Sequence, residues 1–384
     1  MNNKFGVGII GCGGISISHF QSYRDLANDC DIIAVSDVNR QAAQRFMKEF
    51  EVKKYYENWH DLLADDRIDV VSICTPHGLH ATMTIAAAAA GKHIICEKPM
   101  AITVGQTMEM IEACRVNNVK LSIGSERFNP RLHFIKDHVL PLIGDIHFSQ
   151  LISFFYRDNA YYQSAKWRGT WAMEGGAVCA NQAAHVWDQW QWFLGGVDYA
   201  YGYWANLLHP QIEAEDIAYG LVKFRNGSHG KFLATSCCAW QDGLGGLRIE
   251  GENGTIWAKD AWCYEIDFTM HDKTLDEKLH DEFSGSIDSQ YHGKFQPWQV
   301  KDLFSAIRED RPTLVPEAGE AIKILNGVHW NGWTHAKQFE SWARQFDLPV
   351  TIEESKSENW DGGSLIETLV AFVTDQSRQL KAPF

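Results

Sequence analysis

The chain has 384 residues, of which 45% are hydrophobic and 22% are charged, the composition of a globular protein with about two domains. Its 35 lysines and arginines against 49 aspartates and glutamates give a formal net charge of −14, which argues against binding to nucleic acid or to anionic membranes. No apolar stretch reaches the ~20 residues of a membrane span. The nine cysteines are an odd number and show no paired spacing, and the first strand leaves no room for a signal peptide before it. Together these features predict a reduced, cytoplasmic protein.

The first third of the chain alternates short apolar runs with helical patterns. Strands are predicted at residues 5–10, 31–36, 70–74, 93–96 and 121–124. Helices are predicted at 15–26 and 40–50, and another carries the alanines at 86–90. Continuous Val/Ile/Cys strands with helices between them are typical of a parallel sheet covered on both faces. This pattern predicts a doubly wound α/β fold.

From about residue 126 the strands become longer and some alternate apolar with polar residues. Strands are predicted at 146–156, 218–224, 230–237 and 246–256, and helices at 178–194, 299–308 and 318–329. Asn226-Gly227 and Asn253-Gly254 are turn signals, which predict antiparallel hairpins. Residues 351–384 begin polar and end in a short apolar helix pattern, and nothing in the sequence places them.

A glycine-rich turn follows the first strand. Gly11 and Gly13 lie in a variant of the G-x-G-x-x-G pattern, in which Ser16 stands where a third glycine is usual. Such a turn allows the pyrophosphate of a dinucleotide to approach a helix N-terminus. Asp37 ends the second strand, where a carboxylate would accept hydrogen bonds from the adenosine ribose. This favours NAD over NADP, although Arg40 lies close enough to weaken the preference.

Two further motifs follow strand ends, the edge where a doubly wound sheet binds its ligand. Glu97-Lys98-Pro99 places a lysine where it could exchange a proton with a substrate hydroxyl or carbonyl, although taken alone it is more typical of a surface lysine. Thr75 and Pro76 could pass close to the nicotinamide ribose. The nearby His77 and His80 are more typical of helix starts than of catalysts.

A fourth motif lies in the second part of the chain. It begins with Trp167-Arg168, continues through the double glycine of residues 174–176, and reaches Asn181 and His185. Residues four apart on a helix project from one face, so Asn181 and His185 are predicted to lie together. Taken alone, a single histidine on an aromatic-rich helix is more often a core residue.

In this order the four motifs resemble the Gfo/Idh/MocA family of nicotinamide-dependent sugar and cyclitol oxidoreductases, over roughly residues 5–335. The resemblance implies an N-terminal Rossmann domain, residues 1–125, with bound NAD. It further implies a C-terminal α/β domain, residues 126–350, with a large, mostly antiparallel open sheet. One face of that sheet would border the active site and the other would form a homodimer or homotetramer interface. Residues 351–384 would be a C-terminal extension.

The resemblance also assigns roles to residues. Lys98 and His185 become the catalytic pair that moves the hydroxyl proton. Cofactor contacts are expected from Gly11, Gly13, Gly14, Ile15, Asp37, Arg40, Thr75, Pro76, His80, Glu97, Lys98 and Arg127. Substrate contacts are expected from Asn181, Tyr156, Arg157, Trp167, Arg168 and His292. Many relatives carry aspartate where this chain has Asn181, and a neutral amide cannot favour the charged forms of Lys98 and His185 as a carboxylate would.

The leading hypothesis is an NAD-dependent dehydrogenase or reductase acting on a hydroxyl of a sugar, cyclitol or glycoside. A second hypothesis is a redox-neutral glycosidase, which oxidises a sugar hydroxyl transiently, eliminates the aglycone and reduces the product again. A third is a non-catalytic, NAD-sensing regulator, which the presence of Lys98 and His185 disfavours. The sixteen histidines lack the spacing of zinc ligands, so no metal is predicted.

Overall fold

The computed structural model describes residues 4–239, 245–259, 265–285, 296–314 and 328–330. They form two β-sheets with helices packed against them. Within these ranges, no helix combines the length and the apolar composition that crossing a bilayer requires. His292 and the tail at 351–384 lie outside the described residues.

The first sheet is wholly parallel. Its strands are β1 (Phe5–Ile10), β2 (Cys30–Ser36), β3 (Tyr55–Tyr56), β4 (Val70–Ile73), β5 (His93–Cys96) and β6 (Leu121–Ile123). The accompanying helices are α1 (Gly14–Asp25), α2 (Arg40–Phe50), α3 (Trp59–Leu63), α4 (His80–Ala89), α5 (Val104–Val116) and α6 (Pro130–Phe134). The strand order β3-β2-β1-β4-β5-β6 is that of a Rossmann fold. The predicted doubly wound sheet is confirmed.

The second sheet is mixed and mostly antiparallel, as predicted. Its strands are β7 (Ile146–Phe154), β8 (Val197–Ala205), β9 (Ile217–Phe224), β10 (His229–Thr235), β11 (Gly246–Gly251), β12 (Gly254–Ala258), β13 (Ile266–Met270) and β14 (Val328–Trp330). The helices here are α7 (Asn159–Gln163), α8 (Ala184–Leu194), α9 (Lys273–Gly285) and α10 (Gln296–Arg308). The order is β13-β12-β11-β7-β10-β9-β8-β14, with parallel pairing only between β7 and β10 and between β8 and β14 among the described strands.

The first sheet is buried on both faces, which explains its uninterrupted apolar strands. One core cluster joins β4 and β5 to α4 and α5. The other joins β1 to α1 and to α10, which arrives from much later in the chain. In this second cluster the rings of Phe5 and Phe304 stack with centroids 4.6 Å apart.

Three predicted elements were wrong in detail. The strand predicted at 246–256 is two strands, β11 and β12, because the chain turns at Glu252 and Asn253 and pairs back antiparallel. The helix predicted at 178–194 is broken: a π-helical turn, Val178–Gln182, precedes α8. The helix predicted at 318–329 cannot reach its predicted end, because β14 occupies Val328–Trp330, and its residues 318–327 lie outside the described ranges.

Helix α8 is held on the second sheet by Trp190. This side chain is fully buried, and its indole N–H donates to the Ser149 hydroxyl on β7 over 3.0 Å. Its ring lies over Gly230 of β10, where an added Cβ would come within 2.3 Å of the indole. The glycine is therefore required by the close approach of a large ring, and the fit fixes the position of α8.

We expect Trp190→Phe to lower the free energy of unfolding by about 2 kcal/mol, since it leaves a cavity and removes the indole hydrogen bond. The measurement is urea unfolding followed by circular dichroism. Trp192→Phe is the matched control: Trp192 lies on the same helix but is only partly buried, so its loss should cost less than about 1 kcal/mol. Equal losses for both variants would contradict this account of α8 packing.

Candidate active site

The carboxyl ends of β1, β4 and β5 lie at one edge of the first sheet. Gly11 follows β1 with a φ of +97°, and a Cβ there would lie 2.5 Å from the Cys74 carbonyl oxygen. Gly13 and Gly14 face open space, and no side chain caps the N-terminus of α1. The free N–H groups and the space over this helix end fit the pyrophosphate of a dinucleotide.

Asp37 lies beside this turn. One of its carboxylate oxygens accepts the N–H of Cys12 over 2.7 Å, and the other accepts the N–H of Asn39 over 2.7 Å. A carboxylate has about four acceptor positions, so capacity remains for a ribose diol. Arg40 begins α2 and is exposed, and Ile15 is 39% exposed in the first turn of α1. Contacts from Asp37, Arg40 and Ile15 to the adenosine stay predictions.

His80 connects two ends of the site. Its Nδ1 lies 2.8 Å from the Pro99 carbonyl oxygen and its Nε2 lies 2.9 Å from the Thr75 carbonyl oxygen. Burial lowers the pKa of His80, whereas the two carbonyl oxygens, which can only accept hydrogen bonds, act in the opposite direction. The ring thus ties the end of β4 to the turn that carries Lys98. Thr75 itself donates its hydroxyl to the sulfur of Met83.

Glu97 is a buried carboxylate that is hydrogen-bonded to a histidine. It lies 2.8 Å from Nε2 of His19, whose Nδ1 lies 3.1 Å from the Ser72 hydroxyl. Burial by itself raises the pKa of Glu97, but the His19 hydrogen bond and the nearby positive charges outweigh burial and bring it to about 2. Glu97 therefore carries a permanent negative charge beside Lys98.

Lys98 reaches across to the second part of the chain. Its Nζ donates to both the backbone oxygen and the side-chain Oδ1 of Asn181, each over 2.9 Å. Burial lowers the pKa of Lys98, while Glu97, Glu174 and Glu126 act in the opposite direction. Two of the three positions on the amine nitrogen are occupied by Asn181. The third is the one at which a proton can be gained or lost.

His185 stands in the first turn of α8 and is buried. Its Nδ1 lies 3.5 Å from a carboxylate oxygen of Glu126, which is also buried. Burial is the main reason that the pKa of His185 lies well below its usual value, and the charge of Lys98 lowers it further. The imidazole is therefore neutral at physiological pH, and the predicted pairing of Lys98 with His185 stays a prediction.

Asn181 is held from behind by Glu174. Its amide Nδ2 donates to a Glu174 oxygen over 2.6 Å, and the Gly169 N–H donates to the other oxygen. Burial raises the pKa of Glu174, whereas these hydrogen bonds lower it. The Asn181 amide also lies 3.3 Å from the Tyr161 hydroxyl. These contacts orient the amide group towards Lys98.

Two arginines stack on Tyr161. The Arg168 guanidinium lies 4.2 Å from the centre of that ring and 4.7 Å from the centre of the Trp167 ring, and it donates to the Tyr161 hydroxyl over 2.5 Å. The Arg157 guanidinium lies 4.9 Å from the Tyr161 ring. The neighbouring Tyr156 is 49% exposed. These side chains form a polar, aromatic wall next to Asn181.

Arg127 has a different environment from the one that the resemblance implied. Its guanidinium binds the Asp188 carboxylate through two hydrogen bonds of 2.9 and 2.5 Å, and the Ser125 hydroxyl donates to the same carboxylate. The pair joins the segment after β6 to α8. A cofactor contact from Arg127 stays a prediction.

Sequence reasoning left several of these groups unassigned. His19, Glu126 and Tyr161 stand in segments without a recognisable motif, so no sequence signal marked them. Glu174 was visible within the double-glycine motif but received no role. Its position directly before two glycines was the available signal.

One cluster has the residue types of a metal site. The potential ligand atoms of His209, Asp216 and Cys237 lie within 4.8 Å of one another. The Asp216 carboxylate already accepts three backbone N–H groups, and burial raises the pKa of the Cys237 thiol to about 11. A metal would have to displace these hydrogen bonds and a thiol proton, so the cluster is arranged as a structural network.

Comparison with known proteins identifies the chain at the family level. Residues 5–125 match the family model described as "Oxidoreductase family, NAD-binding Rossmann fold", and residues 142–257 match the Gfo/Idh/MocA C-terminal domain. The chain belongs to the Gfo/Idh/MocA family. Its first part is therefore an NAD-binding Rossmann domain of a family of sugar and cyclitol oxidoreductases.

Individual Gfo/Idh/MocA relatives are distant. The uncharacterised oxidoreductase YrbE of Bacillus subtilis is 30% identical over 59% of this chain and 66% of its own length. Myo-inositol 2-dehydrogenase of Thermotoga maritima is 31% identical over 35% of this chain and 40% of its own length. The crystal structure of the WlbA dehydrogenase of Bordetella pertussis with NADH and UDP-GlcNAcA has a TM-score of 0.76 and 26% identity, covering 92% of this chain and 99% of WlbA.

We expect Asp37→Asn to weaken NADH binding about tenfold and to narrow the preference for NADH over NADPH, because the charge that binds a ribose diol and repels a 2′-phosphate is lost. Fluorescence titration with both cofactors measures this. Asp31→Asn is the control: Asp31 lies on β2, the strand that Asp37 follows, and is exposed and paired with Lys4. Unchanged NADH affinity in Asp37→Asn would contradict the assignment.

A buried carboxyl group also caps the π-helical turn. Glu215 accepts the N–H groups of Ala177 and Cys179 over 2.9–3.1 Å. Burial raises the pKa of Glu215 to about 7, against the effect of these hydrogen bonds. Between about pH 4.5 and pH 7 the folded protein therefore holds a proton that the unfolded chain has lost, and its stability falls as the pH rises.

Over that window we expect Glu215 to lower the free energy of unfolding by up to about 3 kcal/mol. Denaturant unfolding at a series of pH values should show a flatter pH dependence for Glu215→Gln than for the unmodified chain. The exposed neighbour Glu213 supplies the control, because Glu213→Gln should retain the original slope. An unchanged slope in Glu215→Gln would rule out this carboxyl group as the source.

Proposed function

We propose that this protein is an NAD(H)-dependent oxidoreductase that acts on a hydroxyl-bearing carbon of a sugar, cyclitol or glycoside, with Lys98 as the acid/base group. The observation that carries the proposal is the half-buried Lys98 amine, held by two oxygens of Asn181 at the ligand-binding edge of the Rossmann sheet. A bound nicotinamide supplies the hydride donor or acceptor. The protein residues bind and orient the polyol and move its hydroxyl proton.

The hydrogen bonds of Lys98 determine which side of the amine can exchange a proton with the substrate. A neutral amine has two N–H groups and one lone pair, and Asn181 accepts the two N–H groups. The lone pair is then directed away from Asn181 and accepts a proton from a substrate hydroxyl. In the reverse direction the ammonium form donates that proton to a carbonyl. Burial lowers the pKa of Lys98, which increases the fraction of the basic form near neutral pH.

His185 serves as a neutral partner in this scheme. Because its pKa is held well below its usual value, the imidazole donates one hydrogen bond and accepts one without adding positive charge beside Lys98. Glu126, 3.5 Å away, biases Nδ1 towards the protonated tautomer, which leaves Nε2 as the acceptor for a second substrate hydroxyl.

The lining supports a polyol substrate. Tyr161, Trp167, Arg157 and Arg168 combine flat rings with hydrogen-bond donors, which suits the apolar face and the hydroxyl edge of a sugar ring. The named relatives include dehydrogenases of inositol, levoglucosan and D-glucosides. Both lines of support point to the same substrate class.

We also propose a homo-oligomer formed through the outer face of the second sheet. Tyr201, Tyr203, Tyr219 and Leu221 of β8 and β9 are 45–63% exposed there, and the rings of Tyr203 and Tyr219 lie 5.5 Å apart. Exposed aromatic faces of this kind are typical of protein interfaces. Sedimentation of the purified chain tests this.

The function is tested by purifying the protein, identifying any nicotinamide that it releases on denaturation, and assaying cyclitols, aldoses and glycosides for NADH formation. Stoichiometric NADH from one class supports a dehydrogenase. Retained NAD together with glycoside cleavage and no net NADH would replace the proposal with the redox-neutral glycosidase. Absence of both activities from every class would contradict an enzymatic role.

We expect Lys98→Met to lower turnover at least ~10²-fold and to weaken NADH binding far less, because the methionine retains the packing but cannot move a proton. Steady-state kinetics and NADH titration measure the two effects. Lys120→Met is the matched control, since Lys120 pairs with the exposed Asp310. Near-normal turnover in Lys98→Met would overturn the assignment of Lys98.

A further inference from the structure

A continuous chain of hydrogen bonds leads from Lys98 into the protein. The Lys98 amine donates to Oδ1 of Asn181, and Nδ2 of Asn181 donates to Oε1 of Glu174 over 2.6 Å. The Gly169 N–H then donates to Oε2 of Glu174. Glu174 is 1% exposed, so these protein donors take the place of water around its carboxylate.

The orientation of the Asn181 amide follows from the partners of its nitrogen and its oxygen. A carboxylate can only accept hydrogen bonds, so the amide nitrogen of Asn181 must face Glu174. The amide oxygen must then face Lys98, where it accepts from the amine. If Glu174 did not accept at that position, the amide could rotate and present its N–H groups to the amine, which would repel the protonated form.

Glu174 also places a negative charge close to Lys98. The charged and titratable groups that interact with the amine are Glu97, Glu126, Glu174, Arg168, His185, His77 and His80. Of the three carboxylates, Glu97 carries a His19 partner and Glu126 lies beside His185. Glu174 is the one that acts through Asn181.

We propose that Glu174 is a positioning residue for Lys98: it fixes the Asn181 amide with its oxygen towards the amine, and it supplies from one residue further back the negative charge that an aspartate at position 181 would supply directly. The inference rests on the proposed function only for the role of Lys98 in proton transfer. The neutral Asn181 and the buried Glu174 thus act as a unit.

The same hydrogen bonds predict which substitutions at residues 174 and 181 can keep every donor and acceptor paired. In Glu174→Gln the side chain has one acceptor for two donors, Gly169 N–H and Asn181 Nδ2, so one of them loses its contact with residue 174, although Nδ2 also has the Tyr161 hydroxyl at 3.3 Å. In Asn181→Asp two carboxyl groups lie in contact and must share a proton. In the double variant Glu174→Gln with Asn181→Asp, the glutamine accepts from Gly169 and donates to the new aspartate, which leaves every group paired.

The test measures the pKa of Lys98 directly, without a substrate. The full chain and its variants are labelled with acetic anhydride over a pH series, and mass spectrometry follows acetylation of the Lys98 peptide. We expect Glu174→Gln to lower the pKa of Lys98, raising its acid dissociation constant about tenfold. In the double variant the negative charge lies directly beside the amine. We therefore expect its Lys98 pKa to be higher than in the unmodified chain, with an acid dissociation constant about tenfold lower. Glu213→Gln, on the exposed neighbouring loop, should change nothing.

Thermal unfolding of the same proteins supplies a second readout. Each single variant should melt below the unmodified chain, and the double variant should melt above both single variants, since its hydrogen bonds are restored. If Glu174→Gln fails to fold, the folded double variant still tests the pairing. An unaltered Lys98 pKa in Glu174→Gln, or a double variant no more stable than the worse single variant, would overturn the proposal.

The two proposals fail in distinguishable ways. Activity assays decide whether the chain is a dehydrogenase, whereas acetylation and unfolding report only on the coupling of Glu174, Asn181 and Lys98. If a substrate is found, the limb of the kcat/KM pH profile that reports the base should move in the same direction as the labelling pKa. A limb that stays fixed while the labelling pKa moves would remove Lys98 as the base and leave the coupling intact.

Discussion

The site depends on one half-buried contact, the hydrogen bonds from the amine of Lys98 to the two oxygens of Asn181. Lys98 follows β5 of the parallel sheet, and Asn181 lies in the π-helical turn before α8, which packs on the mixed sheet. This contact joins the two sheets at the ligand-binding edge. The His80 bridge holds the turn that carries Lys98. The Arg127–Asp188 pair holds helix α8, which follows Asn181.

Removing a lysine from water is unfavourable, and the surroundings show how this cost is offset. Glu97, Glu126 and Glu174 surround the amine, and each has a partner of its own. Burial therefore lowers the pKa of Lys98 without abolishing its charge. The balance leaves an amine that loses its proton more readily than a surface lysine does.

The sequence predicted the parallel sheet well, because a strand that is buried on both faces is an uninterrupted apolar run and the Gly11 turn has a recognisable pattern. It singled out Lys98, Asn181 and His185 only through the family resemblance, because taken alone Lys98 was more typical of a surface lysine and His185 of a core residue, and their roles stay predictions. It could not predict the π-helical turn, since nothing in residues 178–182 marks the altered hydrogen bonding, nor the supporting His19 and Tyr161, whose roles arise only from contacts between distant segments. The turn between β11 and β12 was signalled by Asn253-Gly254, although the strand predicted at 246–256 ran through it.

The position of helix α10 affects how the first domain folds during synthesis. Its residues Val300, Leu303 and Phe304 complete one face of a sheet whose strands all lie before residue 124. As the chain leaves the ribosome, the aromatic side of β1 and α1, including Phe5 and Tyr23, stays without its cover until nearly two hundred further residues have been synthesised. The nucleotide-binding domain is thus complete in sequence long before its core is complete, and its aromatic surface stays exposed during that interval.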